Sequence, residues 1–259
     1  MNIAYRLTLI LYKSLFVFSI TFIVTLFLVR IAFNSLQWYD NEFDRHKVLE
    51  PKQYINGYVE EMPFSRTQLS AIASDIIYYF NSEEEFLDIQ KENSSGSLVN
   101  VFNQREIDHM KDVKDLLGLL YRIQEGMVIY LMLVVTIGFF MSGGGFTKQV
   151  VTMLNFTGYF TILLVALLGL ISSVAFNQIF ILFHQLSFSN DKWVLNPQTS
   201  NLIRMFPTQF WLESATLIGM LLVLVFVSIL LLLFIIKWWV GLKQKELEKR
   251  APQYLSPEF

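Results

Sequence analysis

The chain has 259 residues, of which 54% are hydrophobic and only 16% charged, with a mean hydropathy of +0.45 and a formal charge of −2. Water-soluble domains carry about 25% charged residues, so this composition excludes an ordinary soluble globule and points to an integral membrane protein. The near-neutral charge offers no basic field for nucleic acid, and the absence of cysteine excludes disulfides, cysteine-ligated metal and a cysteine acyl-enzyme.

The first apolar run, residues 7–33, has Lys13 near its start and Arg30 near its end. Both side chains are long enough to snorkel to an interface. The run is too long for the apolar part of a signal peptide, and no small-x-small cleavage pattern follows it, so it reads as an uncleaved spanning helix. Residues 34–124 are rich in Asp, Glu, Lys, Ser and Asn and contain no long apolar run. Their patterning is that of a folded domain. Ser65 is placed to cap a helix whose apolar stripe is Leu69, Ile72, Ile76, Ile77 and Phe80. Residues 81–87 suggest a turn with a short helix. Asn93-Ser94-Ser95-Gly96-Ser97 is a turn signal with room for a short strand on either side. Ile107, Met110, Leu117 and Leu120 then mark an amphipathic helix running toward the next apolar segment.

That segment, residues 127–141, is shorter than the roughly 20 residues a crossing needs, so its helix is expected to begin earlier. Residues 142–145 should end it in a tight turn. The third run, residues 156–186, is longer than one crossing requires, which places His184 at or beyond an interface. Residues 217–236 form the fourth run, closed by Trp238 and Trp239 as an aromatic belt.

The basic residues set the expected orientation. Lys237, Lys243, Lys245, Lys249 and Arg250 follow the fourth run, Arg6 precedes the first, and Lys148 lies between the second and third. The positive-inside rule makes these segments cytoplasmic. The resulting expectation is an α-helical integral membrane protein with four transmembrane helices and a mostly helical extracellular domain between spans one and two. Residues 1–33 hold the cytoplasmic N-terminus and first span, 34–124 the extracellular domain and 125–141 the second span. Residues 142–153 form a cytoplasmic loop, 154–186 the third span, 187–213 an extracellular loop, 214–239 the fourth span and 240–259 a cytoplasmic tail.

Three histidines occur, His46, His109 and His184, and all fall on the outer side of this topology. His109 has Asp112 three residues on, on the same helix face, where a carboxylate can orient an imidazole. The plainer reading is a solvated helix face, because Asp108, Lys111, Lys114 and Asp115 surround it. His184 follows Phe180-Ile181-Leu182-Phe183 at a membrane end, where an ionisable group is costly and marks function, or else anchors the helix at the interface. His46 lies in an acidic stretch with no chemical pattern. Trp193 follows Asn190 and Asp191 closely and suits a pocket wall, while Trp211 suits belt duty. There is no Gly-x-Ser-x-Gly elbow and no His-Glu-x-x-His, and the glycines at 143–145 lack the Gly-Lys-Ser/Thr order of a phosphate cradle. His109, His184 and Asp112 are compatible with a metal site, but their spacing carries no metal signature.

Two stretches carry a resemblance. Phe102-Asn103-Gln104-Arg105-Glu106-Ile107-Asp108-His109-Met110-Lys111-Asp112-Val113-Lys114 is one. The other runs from Phe183-His184 through Asn190 and Trp193 to Leu195-Asn196-Pro197, Leu202-Ile203 and Phe206-Pro207. Together with the four-span layout they resemble the lipoprotein intramolecular transacylase (Lit) family of Gram-positive bacteria. The resemblance implies an acyltransferase of the bacterial cytoplasmic membrane with its active site on the outer face, and the basic residues place both termini inside. Its substrates are diacylglyceryl lipoproteins, met within membrane lipid. The sn-2 acyl chain moves from the glycerol to the α-amino group of the lipidated N-terminal cysteine, giving a lyso-form lipoprotein. The family's two histidines fall on His109 and His184.

Ester aminolysis suits these residues. It needs a neutral amine, help for an oxyanion and help for the departing glycerol oxygen. Donor and acceptor sit in one molecule, so proximity supplies much of the rate. The expectation is that His109, oriented by Asp112, takes the amine proton while His184 serves the ester oxygen and the leaving alkoxide, with the roles open to exchange. Asn190 and Trp193 shape the pocket, and no metal or other cofactor is required. The sequence leaves the oligomeric state open. The main alternative is a non-enzymatic membrane sensor or assembly partner that uses residues 34–124. A metal-dependent membrane hydrolase is a further rival, and a transporter is disfavoured because paired intramembrane charges and an inverted repeat are lacking.

Overall fold

Four long helices carry the apolar runs: α1 (Ile3–Phe33), α4 (Gln104–Ser142), α5 (Gly144–Ser187) and α7 (Thr208–Arg250). Each is long and apolar enough to cross a membrane. This computed structural model describes residues 3–53, 59–60, 62–142 and 144–250. Gly143, inside the turn expected at 142–145, and residues 251–259 of the expected tail lie outside the described residues. The amphipathic helix expected before the second span and the span itself are one unbroken helix, α4. Helix α5 already begins at Gly144 and carries a kink at Ala175 (φ −137°, ψ 28°). The apolar surfaces of these helices stay largely uncovered, with Phe140 88% and Val174 84% exposed, as side chains facing lipid should be.

Between the long helices lie α2 (Leu36–Arg45), strands β1 (Lys52–Gln53) and β2 (Val59–Glu60), α3 (Arg66–Asn81), strands β3 (Gln90–Glu92) and β4 (Leu98–Asn100), and α6 (Asn201–Met205). The chain divides into two compact units. Residues 1–24, 127–167 and 220–259 form one, and residues 25–126 and 168–219 form the other.

Within the first unit, the Thr21 and Thr161 hydroxyls share a 2.7 Å hydrogen bond, and Phe18 meets Phe160 edge-on at 5.3 Å. Tyr130 Oη donates to the Tyr12 carbonyl at 3.3 Å. A Cβ at Gly138 would lie 2.2 Å from the Phe146 ring, so that ring packs on bare backbone.

The second unit has its own core, in which Tyr39, Phe43, Leu69, Ile72, Ile76, Tyr79, Val101, Met205, Phe206 and Phe210 are buried together. Helix α3 supplies the centre. Ser65 caps it in a reciprocal capping box with Gln68, and the expected stripe faces inward, joined by Ala73 and Tyr79. The expected hairpin is present. β3 and β4 pair antiparallel, with Lys91 opposite Val99, across a turn in which Gly96 takes φ +81° and Asn93 Oδ1 accepts from the Ser95 and Ser97 amides. Helix α2 was not legible in the sequence as a pattern. Its one local signal is Ser35, whose hydroxyl accepts from the Trp38 amide at the N-cap.

The short helix expected at 81–87 does not form. The chain bends there because Lys114 Nζ, reaching in from α4, donates to the carbonyls of Tyr79 (2.7 Å), Ser82 (2.8 Å) and Glu84 (2.6 Å). One ammonium satisfies three carbonyls that a further helical turn would need for itself, and it sits 4.2 Å from the centroid of the Tyr79 ring. Replacing Lys114 by Met keeps the stem and removes all of this. The expected loss is about 2–3 kcal/mol, read as a lowered Tm of the detergent-solubilised chain.

Candidate active site

His109 stands on the second turn of α4 and His184 on the last turn of α5, both within the second compact unit. Their rings lie 5.8 Å apart, centroid to centroid, tilted by 36°. Each is 7% exposed. The solvated face that surrounds His109 in sequence therefore points elsewhere. Aromatic side chains enclose the pair. Phe188 presents its edge to His109 at 5.3 Å, and Phe180, Phe183, Phe188 and Trp193 stand 4.4, 5.4, 5.8 and 5.1 Å from His184.

The two imidazoles are held differently. His184 Nδ1 lies 2.7 Å from the Phe180 carbonyl, which can only accept, so Nδ1 carries the hydrogen and the neutral ring presents the Nε2 lone pair. His109 Nδ1 is buried with no hydrogen-bond partner in the protein. His109 also precedes the apolar stretch of α4 by about five turns. Burial, reinforced by the neighbouring His184 and opposed by Asp112, pushes its pKa down to about 4. At neutral pH it is an uncharged imidazole.

Asp112 is near enough to act on His109 through its charge, but its Oδ2 accepts from Asn190 Nδ2 at 2.9 Å. The carboxylate thus fixes the loop that follows α5. Asn190 Oδ1 in turn accepts from the Lys192 amide, and its carbonyl accepts from Trp193 Nε1 at 3.1 Å, which sets the indole beside His184. Asn190→Ala takes away the bonds to Asp112 and to the Lys192 amide, though not the backbone carbonyl that accepts from Trp193, and should loosen this loop with little change in Tm, read as faster hydrogen exchange at residues 190–194.

Two residues beside His109 hold the site together and were not legible as such. Arg105 donates Nε to the Val194 carbonyl at 3.2 Å and Nη2 to the Asp191 carbonyl. Glu106, 1% exposed, closes a capping box with Asn103. Its Oε2 accepts from the Asn103 amide (2.7 Å), and Asn103 Oδ1 accepts from the Glu106 amide (3.1 Å). Glu106 Oε1 accepts from Ser200 Oγ (2.6 Å) and the Leu202 amide (2.8 Å). One buried carboxylate therefore caps α4 and anchors the start of α6. An Asn three residues before a Glu was the available local signal, and the long-range half of the arrangement left none.

Among the described residues, the side chains close enough to share an ion are Glu42, His46 and Glu213, a set that includes neither His109 nor His184. Arg45 Nη1 lies 2.6 Å from Glu213 Oε2 and 3.2 Å from Glu42 Oε1, so one guanidinium already sits beside both carboxylates. His46 Nε2 sits 3.1 Å from Glu42 Oε2. Trp211 packs against Phe33, Phe180, Phe206 and Phe210, joining the core of its unit.

The family model of the lipoprotein intramolecular transacylase Lit matches residues 14–211, a stretch that includes both histidines and every residue of the relay. The chain belongs to the Lit family. Its fold is shared with the membrane-integral lipoprotein intramolecular transacylase Lit from Bacillus cereus, at a TM-score of 0.64 and 19% identity over 91% of this chain and 97% of that one. A histidine-to-alanine variant of the Bacillus cereus protein matches at a TM-score of 0.62 and 18% identity, over 95% of this chain and all of that one. An uncharacterised protein of Aquifex aeolicus (strain VF5) is 26% identical over 194 residues, 74% of this chain and 79% of that protein. With four apolar helices and a membrane-integral fold relative, this Lit-family chain is a multi-pass membrane protein.

Proposed function

We propose that the chain is an intramolecular O-to-N acyltransferase that acts on diacylglyceryl lipoproteins at the outer face of the cytoplasmic membrane. The paired imidazoles enclosed by aromatic side chains are the observation that carries this reading. The α-amine of the lipidated N-terminal cysteine attacks the carbonyl carbon of its own sn-2 ester. A C–N bond forms, the C–O bond to glycerol breaks, and the freed sn-2 hydroxyl takes up the proton the amine gives away. The product is an N-acyl lyso-lipoprotein.

The hydrogen-bonding of the two rings supports an exchange of the expected roles. His184, with its hydrogen fixed on Nδ1 by the Phe180 carbonyl, presents Nε2 as the base for the amine proton and returns that proton to the leaving oxygen. His109 stays neutral because it is buried, and a neutral imidazole can donate an N–H to a developing oxyanion. Asp112 acts on the pair through Asn190 and Trp193. The aromatic walls exclude water, which would otherwise compete with the amine for the ester.

Expression in a bacterium unable to N-acylate its lipoproteins tests the reading. Mass spectrometry of the N-terminal lipopeptides should show a lyso-form of unchanged total acyl count, with one chain moved to nitrogen. Lipopeptides that keep both chains on glycerol would overturn the proposal.

A further inference from the structure

The first compact unit contains a groove of ≈ 560 Å³ that the transacylation chemistry does not use. It lies between residues 10–17 of α1 and residues 148–156 of α5. Val17 and Met153, 3% and 4% exposed, lie in its floor, Ile10 and Phe156 are exposed apolar flanks, and Lys13 and Lys148 bring two cations to it. Its size falls in the range of small-ligand clefts, about 300–1,000 Å³.

The lysines in the groove differ from seven cations of the second unit. In the second unit Arg45, Lys47, Arg66, Lys91, Arg105, Lys111 and Lys192 each lie within ion-pair distance of a carboxylate. Among the described residues no carboxylate pairs with Lys13 or Lys148. Residues 1–24 and 127–167 contain Arg6, Lys13 and Lys148 as their only charged side chains, with no Asp or Glu. Two uncompensated ammonium groups over an apolar floor, on helices whose flanks face lipid, complement an amphiphile with an anionic head and a hydrocarbon tail.

We propose that this groove is a binding site for an anionic glycerophospholipid, its phosphate between Lys13 and Lys148 and the upper part of an acyl chain on Val17, Met153 and Phe156. By the positive-inside rule the groove opens to the cytoplasmic leaflet. The bound lipid would tie α1 to α5 beside the Thr21–Thr161 hydrogen bond.

Native mass spectrometry of the full chain in detergent tests this, using phosphatidylglycerol and phosphatidylcholine with identical acyl chains. The chain should retain one phosphatidylglycerol in preference to phosphatidylcholine. Lys13→Gln and Lys148→Gln should each lower the preference about fivefold, and the double variant should abolish it. Lys243→Gln removes a cation that sits over the Trp239 ring outside the groove and should leave the preference intact. Equal retention of the two lipids, or undiminished retention by the double variant, overturns the proposal. It is also overturned if inorganic phosphate, and not phosphatidylglycerol, raises Tm in a lysine-dependent way, since the site would then be one for a free anion. Both lysines are exposed, so the variants are expected to fold, and each single variant gives its own reading.

Discussion

Replacing His184 by Gln should abolish detectable lyso-lipoprotein formation, lowering kcat/KM by about 10³–10⁴. Gln fills similar space and can keep a hydrogen bond to the Phe180 carbonyl, but its amide has no basic nitrogen at the Nε2 position. The amine would then have to lose its proton without a positioned acceptor. His109→Gln should cost less, about 10²–10³, because an amide N–H can partly replace a neutral imidazole N–H as oxyanion donor. The double variant should be little worse than His184→Gln alone, since both rings serve one transition state. Both variants should retain the wild-type Tm within a few degrees. Neither ring is a core anchor, whereas Phe206 and Met205 are. If either single variant makes lyso-lipoprotein at the wild-type rate, the two-histidine account fails; if the wild-type chain itself makes none, a non-enzymatic sensor built on residues 34–124 becomes the better reading.

Glu106→Ala should produce the largest loss of stability of any single change near the site. It strips the acceptor from two backbone amides and one hydroxyl, on Asn103, Leu202 and Ser200, in a location 1% exposed. Unsatisfied buried donors cost about 1–3 kcal/mol each, so the expected loss is about 3–5 kcal/mol after partial relaxation. Glu106→Gln separates the two halves of the arrangement. Its oxygen can still serve Ser200 and Leu202, while its amide meets the Asn103 N–H donor to donor. It should therefore cost about 1–2 kcal/mol. Activity should fall with Tm in the same order, because α4 positions His109 one turn beyond Glu106. An Ala variant as stable as wild type, measured by thermal unfolding in detergent, would contradict this role.

What the sequence made legible was the part set by local periodicity and by punctuation. The four apolar runs became α1, α4, α5 and α7, Ser65 capped α3, and the Asn93–Ser97 turn joined β3 to β4. The histidines could be singled out because ionisable groups at the ends of apolar runs are unusual, and His109 and His184 do meet although 75 positions separate them. What escaped was polar satisfaction over distance. Asp112, placed by spacing as the partner of His109, hydrogen-bonds to Asn190, since the fold brings a better donor to that carboxylate than a neighbour on its own helix. Lys114, whose spacing gives it no structural role beyond a charge near His109, ends α3 by binding three carbonyls. Glu42, Arg45, His46 and Glu213 form an ion network that no local pattern announces, in which burial and the nearby Glu213 raise the Glu42 pKa. Helix α2 escaped because its core-facing apolar side chains are Trp38, Tyr39 and Phe43, too short a stripe to stand out from an acidic segment.

The most direct test of the central claim uses purified chain and two synthetic diacylglyceryl lipopeptides mixed in one reaction. The lipopeptides differ in peptide mass, and only one carries an isotopically labelled sn-2 acyl chain. The account predicts that the label appears on the α-nitrogen of its own peptide alone, with one glycerol hydroxyl freed, and that His184→Gln yields none of this product. Label on the other peptide, label released as free fatty acid, or unchanged lipopeptides would contradict it.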